Sequence, residues 1–350
     1  MITVEVKASR DYQVLIGSGL LSTLGQRITE IKKVQTVALV SDSNVFPLYG
    51  STVTTSLEKA GLKVISFVFP AGEERKNAQT YLELLNFLAE NHLTRADCLV
   101  ALGGGVVGDL TGFAAATYLR GISYIQVPTT LLAAVDSSVG GKTAIDLPKG
   151  KNLVGAFHQP ALVLCDIDTL TTLPEDIFRD GCAEVIKYGV LYDPKLLAHL
   201  AQKGMEFDRE TVIARCVELK RNVVMEDEFD TGARMKLNLG HTIGHGVEAL
   251  SNFTVSHGKA VAIGMCIVAR AAETFGYCSK EARQQILSTV TTFGLPFFTV
   301  YQADALFCAA LSDKKRTGDH VDLVIPYGIG DCRLVSMAIS EIQSFIQAGL

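Results

Sequence analysis

Short apolar runs alternate with longer amphipathic segments through the first half of the chain. Consecutive apolar residues between turn signals are typical of buried strands, and five runs have this form: TVALVSD, KVISFVFP, DCLVALGGG, ISYIQVP and ALVLCDID. Two segments between them, STVTTSLEKAG and AQTYLELLNFLAENH, have helical spacing. Strands that alternate with helices predict a parallel sheet with helices on both faces.

The pattern becomes mainly helical from about residue 172. In TLPE, Thr172 and Glu175 have the spacing of a capping box, which predicts the start of a helix. We therefore predict an α/β protein with two domains. Residues 1–172 form the parallel-sheet domain, and residues 173–350 form a mainly α-helical domain.

Composition and charge narrow the class of protein. Of 350 residues, 48% are hydrophobic and 20% are charged, which is typical of a globular protein. The net charge of −5 and the lack of a dense Lys/Arg run argue against nucleic acid or a membrane as a partner. The eight cysteines are scattered without a C-x-x-C motif, and the N-terminus has no signal-peptide pattern. We expect a cytoplasmic protein.

A glycine-rich segment, LGGGVVGDLTG, follows one predicted strand and begins a helix. Glycines there let a phosphate approach the backbone, and the amino end of the helix attracts it. The simpler alternative is a tight strand–helix turn. Asp42 ends another strand and AGEERKN follows the next, at the sheet edge where such folds bind ligands. The order is not the G-x-G-x-x-G fingerprint, so the pattern predicts a nucleotide and leaves NAD and ATP open.

Three of the seven histidines fall in residues 241–257. If ARMKLNLGHTIGHGVEAL is one helix, Arg234, Asn238, His241 and His245 share one face. A solvated face is one explanation, although such faces usually carry Lys and Glu. A metal site is the other, because His257 follows closely and Ser256 has the character of an N-cap whose helix folds back on the first.

Two further segments place charge on faces that are otherwise apolar. In TVIARCVELKRNVV, Lys220 stands in the apolar stripe, either with its ammonium reaching water or as a cation directed into a cleft. In CAEVIKYG, Glu184 and Lys187 are three residues apart, which is compatible with a surface ion pair. Glu184 is also a candidate for the further ligand that two histidines need to hold zinc.

Motifs in collinear order over residues 40–320 resemble those of the 3-dehydroquinate synthase family, a branch of the sugar-phosphate cyclases. These motifs are PAGEERKN, GGGVVGD, YLRG, VPTTLLAAVDSSVGGKTAID, GKNLVGAFHQP, TLPEDIFRDGCAEVIKYG, LNLGHTIGH and HGKAVAIG. The resemblance implies an N-terminal Rossmann-like NAD-binding domain, a mainly α-helical metal-binding domain, and an active site between them.

The resemblance also assigns roles to residues. It implies a divalent metal, zinc with cobalt as the alternative, held by Glu184, His241 and His257. His245 then becomes an active-site group near the metal, although helical spacing alone favours the pair His241 and His245 as ligands. The implied substrate-binding and catalytic side chains are Arg120, Asp136, Asn152, Lys187, Lys220, Arg234, Asn238, His245 and Lys314, with Lys315 as the alternative to Lys314.

The same resemblance implies a set of NAD contacts and a homodimer. Lys142 would lie between cofactor and substrate, and Arg120 matches an arginine that reaches the phosphate site of the neighbouring subunit. The implied NAD-contacting residues are Asp42, Glu73, Lys76, Gly105, Val106, Val107, Gly108, Asp109, Thr129, Thr130, Lys142, Lys151, Thr169, Leu170, Thr171 and Thr172.

The implied reaction belongs to the shikimate pathway and converts 3-deoxy-D-arabino-heptulosonate 7-phosphate to 3-dehydroquinate and phosphate. Transient oxidation by NAD, elimination of phosphate, reduction, ring opening and an aldol closure follow one another. Departures from the family pattern are Ala71, Asp230 and Arg316, none of them an implied metal ligand.

Three alternatives to this reaction are open at the level of sequence. They are a metal-dependent alcohol or polyol dehydrogenase, a cyclase acting on sedoheptulose 7-phosphate, and an inactive binding protein. The cations Lys142, Lys187, Lys220 and Arg234 argue against the dehydrogenase, and Arg234 with Asn238 matches the dehydroquinate branch.

Overall fold

The computed structural model describes residues 1–313 and 319–350. Its strands, in chain order, are β1 (Ile2–Val6), β2 (Tyr12–Gly17), β3 (Thr36–Asp42), β4 (Lys63–Phe69), β5 (Cys98–Gly103), β6 (Ser123–Pro128), β7 (Lys142–Leu147), β8 (Gly150–Phe157), β9 (Leu162–Asp166), β10 (His320–Gly328) and β11 (Asp331–Ala338). Its α-helices are α1 (Leu24–Ile31), α2 (Phe46–Lys59), α3 (Ala78–Glu90), α4 (Gly105–Thr117), α5 (Glu175–Tyr192), α6 (Pro194–Lys203), α7 (Arg209–Glu226), α8 (His241–Leu250), α9 (His257–Thr274), α10 (Lys280–Thr292), α11 (Ala303–Asp313) and α12 (Ile339–Gly349).

The chain divides into two compact units. The first contains residues 1–174 and 209–229, and the second contains residues 175–208 and 230–350. The predicted boundary at residue 172 lies close to the first division, but α7, predicted for the second domain, groups with the first unit. This helix packs against β1, β2 and the helical turn Ala133–Ser137. Helical periodicity indicates which face of α7 is buried but not which partner covers it.

The sheet of the first unit has seven strands in the order β1-β2-β9-β6-β5-β3-β4. Neighbouring strands are parallel except for the antiparallel pair β1 and β2. The five strands predicted from apolar runs are β3, β4, β5, β6 and β9, and the predicted parallel sheet is confirmed. Alternate residues of β3 enter different cores, Leu39 on one face and Val40 on the other.

An antiparallel hairpin of β7 and β8 stands apart from this sheet and packs against α3 and α4. The backbone N–H of Asp146, in β7, donates to the carbonyl oxygen of Lys76 over 2.7 Å. The hairpin is therefore tied to the segment that follows β4.

The second unit is mainly helical, as predicted, with one hairpin of β10 and β11. Its central helix α9 is buried along nearly its whole length and contacts α5, α8, α10 and α12. The proposed capping box is wrong, because α5 begins at Glu175 itself. Thr172 instead ends the 3₁₀ turn Ile167–Thr171, where its hydroxyl donates to the carbonyl oxygen of Thr169.

The prediction of one continuous helix through the histidine motif is also wrong. Residues Ala233–Asn238 form a 3₁₀ turn, and Leu239 leaves the helical conformation with ψ of 125°. Gly240 then takes a φ of 78°, which favours glycine, and α8 begins at His241. The break changes the direction of the chain between Asn238 and His241.

No helix among residues 1–313 and 319–350 is both long enough and apolar enough to cross a bilayer.

Candidate active site

Three potential metal ligands converge inside the second unit. Glu184 lies in the middle of α5, whereas His241 and His257 are the first residues of α8 and α9. The Nε2 atoms of both histidines lie 3.4 Å from Oε1 of Glu184. The two imidazole centroids are 5.2 Å apart. One carboxylate oxygen and two ring nitrogens thus surround a common point.

Close helix packing brings these side chains together. A Cβ on Gly264 of α9 would lie 2.0 Å from the carbonyl oxygen of Gly240, so α8 and α9 approach each other at backbone distance. At Gly258, an added Cβ would lie 1.9 Å from the carbonyl oxygen of Asp180 in α5. Neither approach tolerates a side chain.

The first turn of α9 is held by α5. Ser256 occupies the N-cap position, as predicted, but its side chain does not cap the helix. Asp180 does so instead, because its Oδ1 accepts the backbone N–H of Lys259 over 2.9 Å and the hydroxyl of Ser256. His257 is therefore placed by a carboxylate from another helix.

Each of the two histidines is oriented through its other ring nitrogen. Nδ1 of His241 lies 3.1 Å from the carbonyl oxygen of Leu239, and Nδ1 of His257 lies 3.3 Å from Oε2 of Glu248. A proton on Nδ1 satisfies both contacts and leaves Nε2 as the atom with a lone pair.

The charges at this point are strongly coupled. Burial alone would raise the pKa of Glu184, but Lys187 and then His241 hold it well below its usual range. Burial, reinforced by Lys187, lowers the pKa of His241 to about 4. For His257, burial lowers the pKa, but the nearby carboxylates of Glu184 and Glu248 outweigh it and raise the pKa to about 10. A metal ion would therefore displace a proton from His257.

The donor set fits a divalent metal. Within the described residues, neither oxygen of Glu184 accepts a well-formed hydrogen bond, although the residue is buried. Oε2 faces the ammonium of Lys187, and Oε1 faces the two histidines. Two imidazoles and one carboxylate are a common ligand set for zinc, and the three ligand atoms lie within 4.8 Å of one another.

The other predicted residues of the second unit lie on the adjoining segments. His245 is on α8, its ring centroid 5.6 Å from that of His241 and 6.1 Å from that of His257. Arg234 is buried in the 3₁₀ turn, and Asn238 ends that turn. Lys314, and its alternative Lys315, lie outside the described residues.

In the first unit, most of the predicted NAD contacts follow the carboxyl ends of parallel strands. Asp42 ends β3, Glu73 and Lys76 follow β4, and Gly105 to Asp109 follow β5. Thr129 and Thr130 come directly after β6, and Thr169 to Thr172 come after β9. Because these strands are parallel, their carboxyl ends meet at one edge of the sheet.

The glycine loop lies close against neighbouring side chains. A Cβ on Gly104, the N-cap of α4, would lie 3.0 Å from Cγ2 of Thr130. At Gly108 it would lie 2.5 Å from Oε1 of Gln126 on β6. The glycines thus let α4 begin against the sheet edge, with the N–H groups of its first turn available to an anion.

Lys76 is the centre of a buried ionic network. Its Nζ donates to Oδ1 of Asn152 over 2.7 Å and to Oδ2 of Asp109 over 3.1 Å. Glu73 lies 3.3 Å and Asp146 3.8 Å from the same atom. Burial would lower the pKa of Lys76, but the carboxylates outweigh it and raise the pKa. Burial raises the pKa of Asp109 to about 6 despite Lys76.

Lys220 does not reach water. It is 6% exposed, and its Nζ donates to the carbonyl oxygen of Asp136 over 2.7 Å and forms an ion pair with that residue's carboxylate. The surface alternative for this lysine is therefore wrong. Lys187 is likewise buried, which excludes a surface ion pair with Glu184.

The remaining predicted residues are more accessible. Lys142 is exposed at the start of β7, and Nζ of Lys151 lies 4.0 Å from Oε1 of Glu73. Asn152 adopts a φ of 57° and donates its backbone N–H to Asp146. Arg120 is exposed, with a φ of 65°.

Two residues of these sites were not predicted from sequence. Asp146 joins the Lys76 network through a hairpin that was not predicted. Glu248 contacts His257, and a signal for it exists, because it follows His245 by three residues and His241 by seven on one helix face. Glu248 as a whole is 3% exposed.

Two family models match consecutive parts of the chain. Residues 66–180 match the family described as 3-dehydroquinate synthase N-terminal, and residues 181–316 match that described as 3-dehydroquinate synthase C-terminal. A 3-dehydroquinate synthase of Pelobacter propionicus is 46% identical over 350 residues, which cover 98% of this chain and 97% of that protein.

Solved structures are similar over the whole chain. A 2-deoxy-scyllo-inosose synthase complexed with carbaglucose-6-phosphate, NAD⁺ and Co²⁺ has a TM-score of 0.88 at 26% identity, covering 100% of both chains. The 2-epi-5-epi-valiolone synthase of Streptomyces hygroscopicus, with NAD⁺ and Zn²⁺ bound, has a TM-score of 0.88 at 25% identity, covering 99% of this chain and 98% of that one. With both halves matched in order and a near full-length relative at 46% identity, this chain belongs to the 3-dehydroquinate synthase family.

Proposed function

We propose that the chain catalyses the reaction of its family in the shikimate pathway, which supplies chorismate and the aromatic amino acids. It converts 3-deoxy-D-arabino-heptulosonate 7-phosphate to 3-dehydroquinate and phosphate, without net oxidation or reduction. The observation that carries the proposal is the convergence of Glu184, His241 and His257 in a member of this family, with Oε1 of Glu184 3.4 Å from both Nε2 atoms.

Glu184, His241 and His257 would hold the divalent metal. The solved relatives are described with Co²⁺ or Zn²⁺ bound, and we propose one of these ions here. When bound, this ion supplies Lewis acidity toward an oxygen of the substrate. The chain holds the three ligands in place through the close contact of α8 with α9 and through Asp180. Three protein ligands leave a further position for the substrate.

The carboxyl edge of the parallel sheet binds NAD. When bound, NAD supplies a transient electron acceptor, so the substrate's hydroxyl can be oxidised and later restored. The N–H groups at the amino end of α4 would bind the pyrophosphate, and Asp42 would accept hydrogen bonds from ribose hydroxyls. Oδ1 of Asp42 already accepts the N–H groups of Asn44 and Val45, which fixes the orientation of this carboxylate.

Fixed cations and an amide recognise the substrate, which carries a carboxylate and a phosphate. Lys187 and Lys220 are held in place by the carboxylates of Glu184 and Asp136, so they bind an anion without further ordering. Arg234 and Lys142 extend this set. Oδ1 of Asn152 accepts Lys76, so its amide nitrogen is the atom that donates to a substrate hydroxyl.

Proton transfers during elimination pass through His245 or through the leaving phosphate itself. The two routes differ in their dependence on residue 245. If the substrate's phosphate accepts the proton, the variant His245→Ala eliminates phosphate at a rate close to that of the wild type. If His245 accepts it, elimination slows by about 10²-fold or more.

The enzyme works in the cytoplasm as a homodimer in which Arg120 reaches the phosphate site of the neighbouring subunit. The local backbone supports this role. Leu119 and Arg120 are both exposed and have left-handed φ values of 52° and 65°, a strained conformation that projects Arg120 away from its own core.

The decisive experiment supplies the heptulosonate phosphate, NAD and zinc, and measures inorganic phosphate, the carbocyclic product and NADH together. We expect phosphate and 3-dehydroquinate in equal amounts with no accumulation of NADH. Accumulating NADH would indicate a dehydrogenase. Preferential turnover of sedoheptulose 7-phosphate would indicate a related cyclase, and no turnover of any of these would indicate an inactive binding protein.

A further inference from the structure

Glu248 places a second carboxylate beside the predicted metal ligands. It lies in α8, and its side chain is buried although it carries a formal charge. Its Oε2 lies 3.3 Å from Nδ1 of His257, on the side of the ring opposite to Glu184. The imidazole of His257 thus spans two buried carboxylates, Glu184 at Nε2 and Glu248 at Nδ1.

The connection between α8 and α9 fixes this arrangement. The backbone carbonyl of Glu248 accepts the N–H of Phe253 over 2.8 Å and the hydroxyl of Ser251 over 2.9 Å. Asn252 and Phe253 take left-handed φ values of 50° and 61°, which turn the chain sharply toward His257. Residue 248 therefore anchors the turn with its backbone and contacts the histidine with its side chain.

A histidine binds a metal through one nitrogen, and the group on its other nitrogen decides which one is available. An acceptor at Nδ1 keeps the proton there and presents the Nε2 lone pair to the ion. His241 obtains such an acceptor from the carbonyl of Leu239. We propose that Glu248 is a positioning residue that fixes the tautomer and ring orientation of His257 for metal binding. This inference rests on the metal site assigned in the proposed function.

A carboxylate does more at Nδ1 than a backbone carbonyl does. Lys187 neutralises the charge of Glu184, so this buried pair has no net negative charge. A dication bound there would add two positive charges that the pair does not balance. Glu248 supplies one negative charge within hydrogen-bonding distance of a ligand. Because unbalanced charge is costly in a buried site, Glu248 stabilises the bound ion as well as orienting the ring.

A different role for Glu248 would be direct coordination. His245, Glu248 and His257 also offer three ligand atoms within 4.8 Å of one another. This second group shares His257 with the first group. If each group held its own ion, both ring nitrogens of His257 would have to bind metal. A neutral imidazole has only one unprotonated nitrogen, so the geometry favours one ion per chain, with Glu248 as the hydrogen-bond acceptor.

The test measures metal binding by the full chain after chelation and dialysis. Zinc affinity is obtained by competition with a chromophoric chelator, stoichiometry by elemental analysis, and ligand geometry by the visible spectrum of the Co²⁺ form. For Glu248→Ala we expect an affinity loss near 100-fold and an altered Co²⁺ spectrum. For Glu248→Gln, which retains an acceptor oxygen but no charge, we expect about a 10-fold loss and a spectrum close to wild type.

Glu273→Gln on α9 is the matched control, because this glutamate pairs with Arg283 away from the histidines, and we expect wild-type affinity for it. If Glu248→Ala does not fold, as judged by circular dichroism, the Gln variant decides. Wild-type affinity in Glu248→Gln would overturn the inference, as would two ions per wild-type chain with one lost on substitution. A wild-type chain that binds no zinc or cobalt would instead overturn the proposed function.

Discussion

Nζ of Lys220 donates a 2.7 Å hydrogen bond to the backbone carbonyl of Asp136 and pairs with the carboxylate of the same residue. The two side chains are 7% and 19% exposed. Removing one partner of an ion pair so far from water is strongly destabilising, because the other charge is left buried without compensation. The lysine of α7 thus serves the stability of the first unit as well as its proposed chemistry.

Substitutions at this pair should affect folding stability and turnover separately. We expect Lys220→Met to lose about 3–5 kcal/mol of unfolding free energy, because it removes the cation beside Asp136, and to lose most turnover. The double variant Lys220→Met/Asp136→Asn should regain much of the stability but none of the activity. Denaturant unfolding and phosphate release check the two effects. A single variant with wild-type stability would contradict the interpretation.

Removal of the metal should abolish phosphate release. We expect an enzyme treated with chelator and dialysed to be inactive, and zinc or cobalt to restore its activity, because no other group in the proposed mechanism supplies Lewis acidity. Glu184→Gln should resist this restoration, since it removes the only anionic ligand of the three. The assay is inorganic phosphate released per minute. Full activity after verified metal depletion would refute the assignment.

The contact between α8 and α9 predicts a large effect of a single methyl group. Gly264→Ala places a Cβ 2.0 Å from the carbonyl oxygen of Gly240, next to His241. We expect a loss of about 1–3 kcal/mol in unfolding free energy from overpacking, together with weaker zinc binding. Gly328→Ala is the matched control, because its Cβ meets no atom within 4 Å. Equal effects of the two substitutions would count against the packing explanation.

Asp109 should make the stability of the first unit depend on pH. Burial raises its pKa to about 6, so the fold favours the protonated carboxyl. This contribution is fully present below about pH 4 and is lost as the pH rises through 6. Relative to wild type, the stability of Asp109→Asn should therefore rise between pH 4 and 7, by about 3 kcal/mol. Denaturant unfolding at several pH values measures the difference, and a constant difference would exclude the effect.

Mixed dimers can test whether Arg120 acts on the neighbouring subunit. Arg120→Ala and Glu184→Gln should each be inactive alone. After mixing, unfolding and refolding, a mixed dimer would contain one intact site if Arg120 acts across the interface, so about one quarter of wild-type activity should return. If Arg120 acts within its own chain, both sites of the mixed dimer are defective, and no activity should return.

Local pattern predicted the parallel sheet well, because each buried strand is a short apolar run in its own right. It failed where the conformation depends on distant contacts. The continuous helix through His241 was wrong because Gly240 accommodates the backbone of α9, which lies far along the chain. The capping role of Asp180 could not be predicted from local sequence, because Asp180 accepts the N–H of Lys259, 79 positions away.

The prediction that Glu184 converges with His241 and His257 rested on family resemblance, because spacing alone favoured His241 with His245. The structure places all three imidazoles close together, so neither sequence pattern was misleading about proximity. What spacing could not provide is the direction of each ring. That depends on the acceptors at Nδ1, one of them a backbone carbonyl with no sequence signature.

Asp180 and Glu184 are four residues apart on α5 and therefore project from the same side of the helix. One carboxylate fixes the first turn of α9, and the other faces the histidine that begins that turn. The distance between Glu184 and His257 is thus set by a helix-to-helix contact through Asp180 as well as by the two ligands themselves. A substitution at Asp180 would therefore displace a metal ligand without removing one.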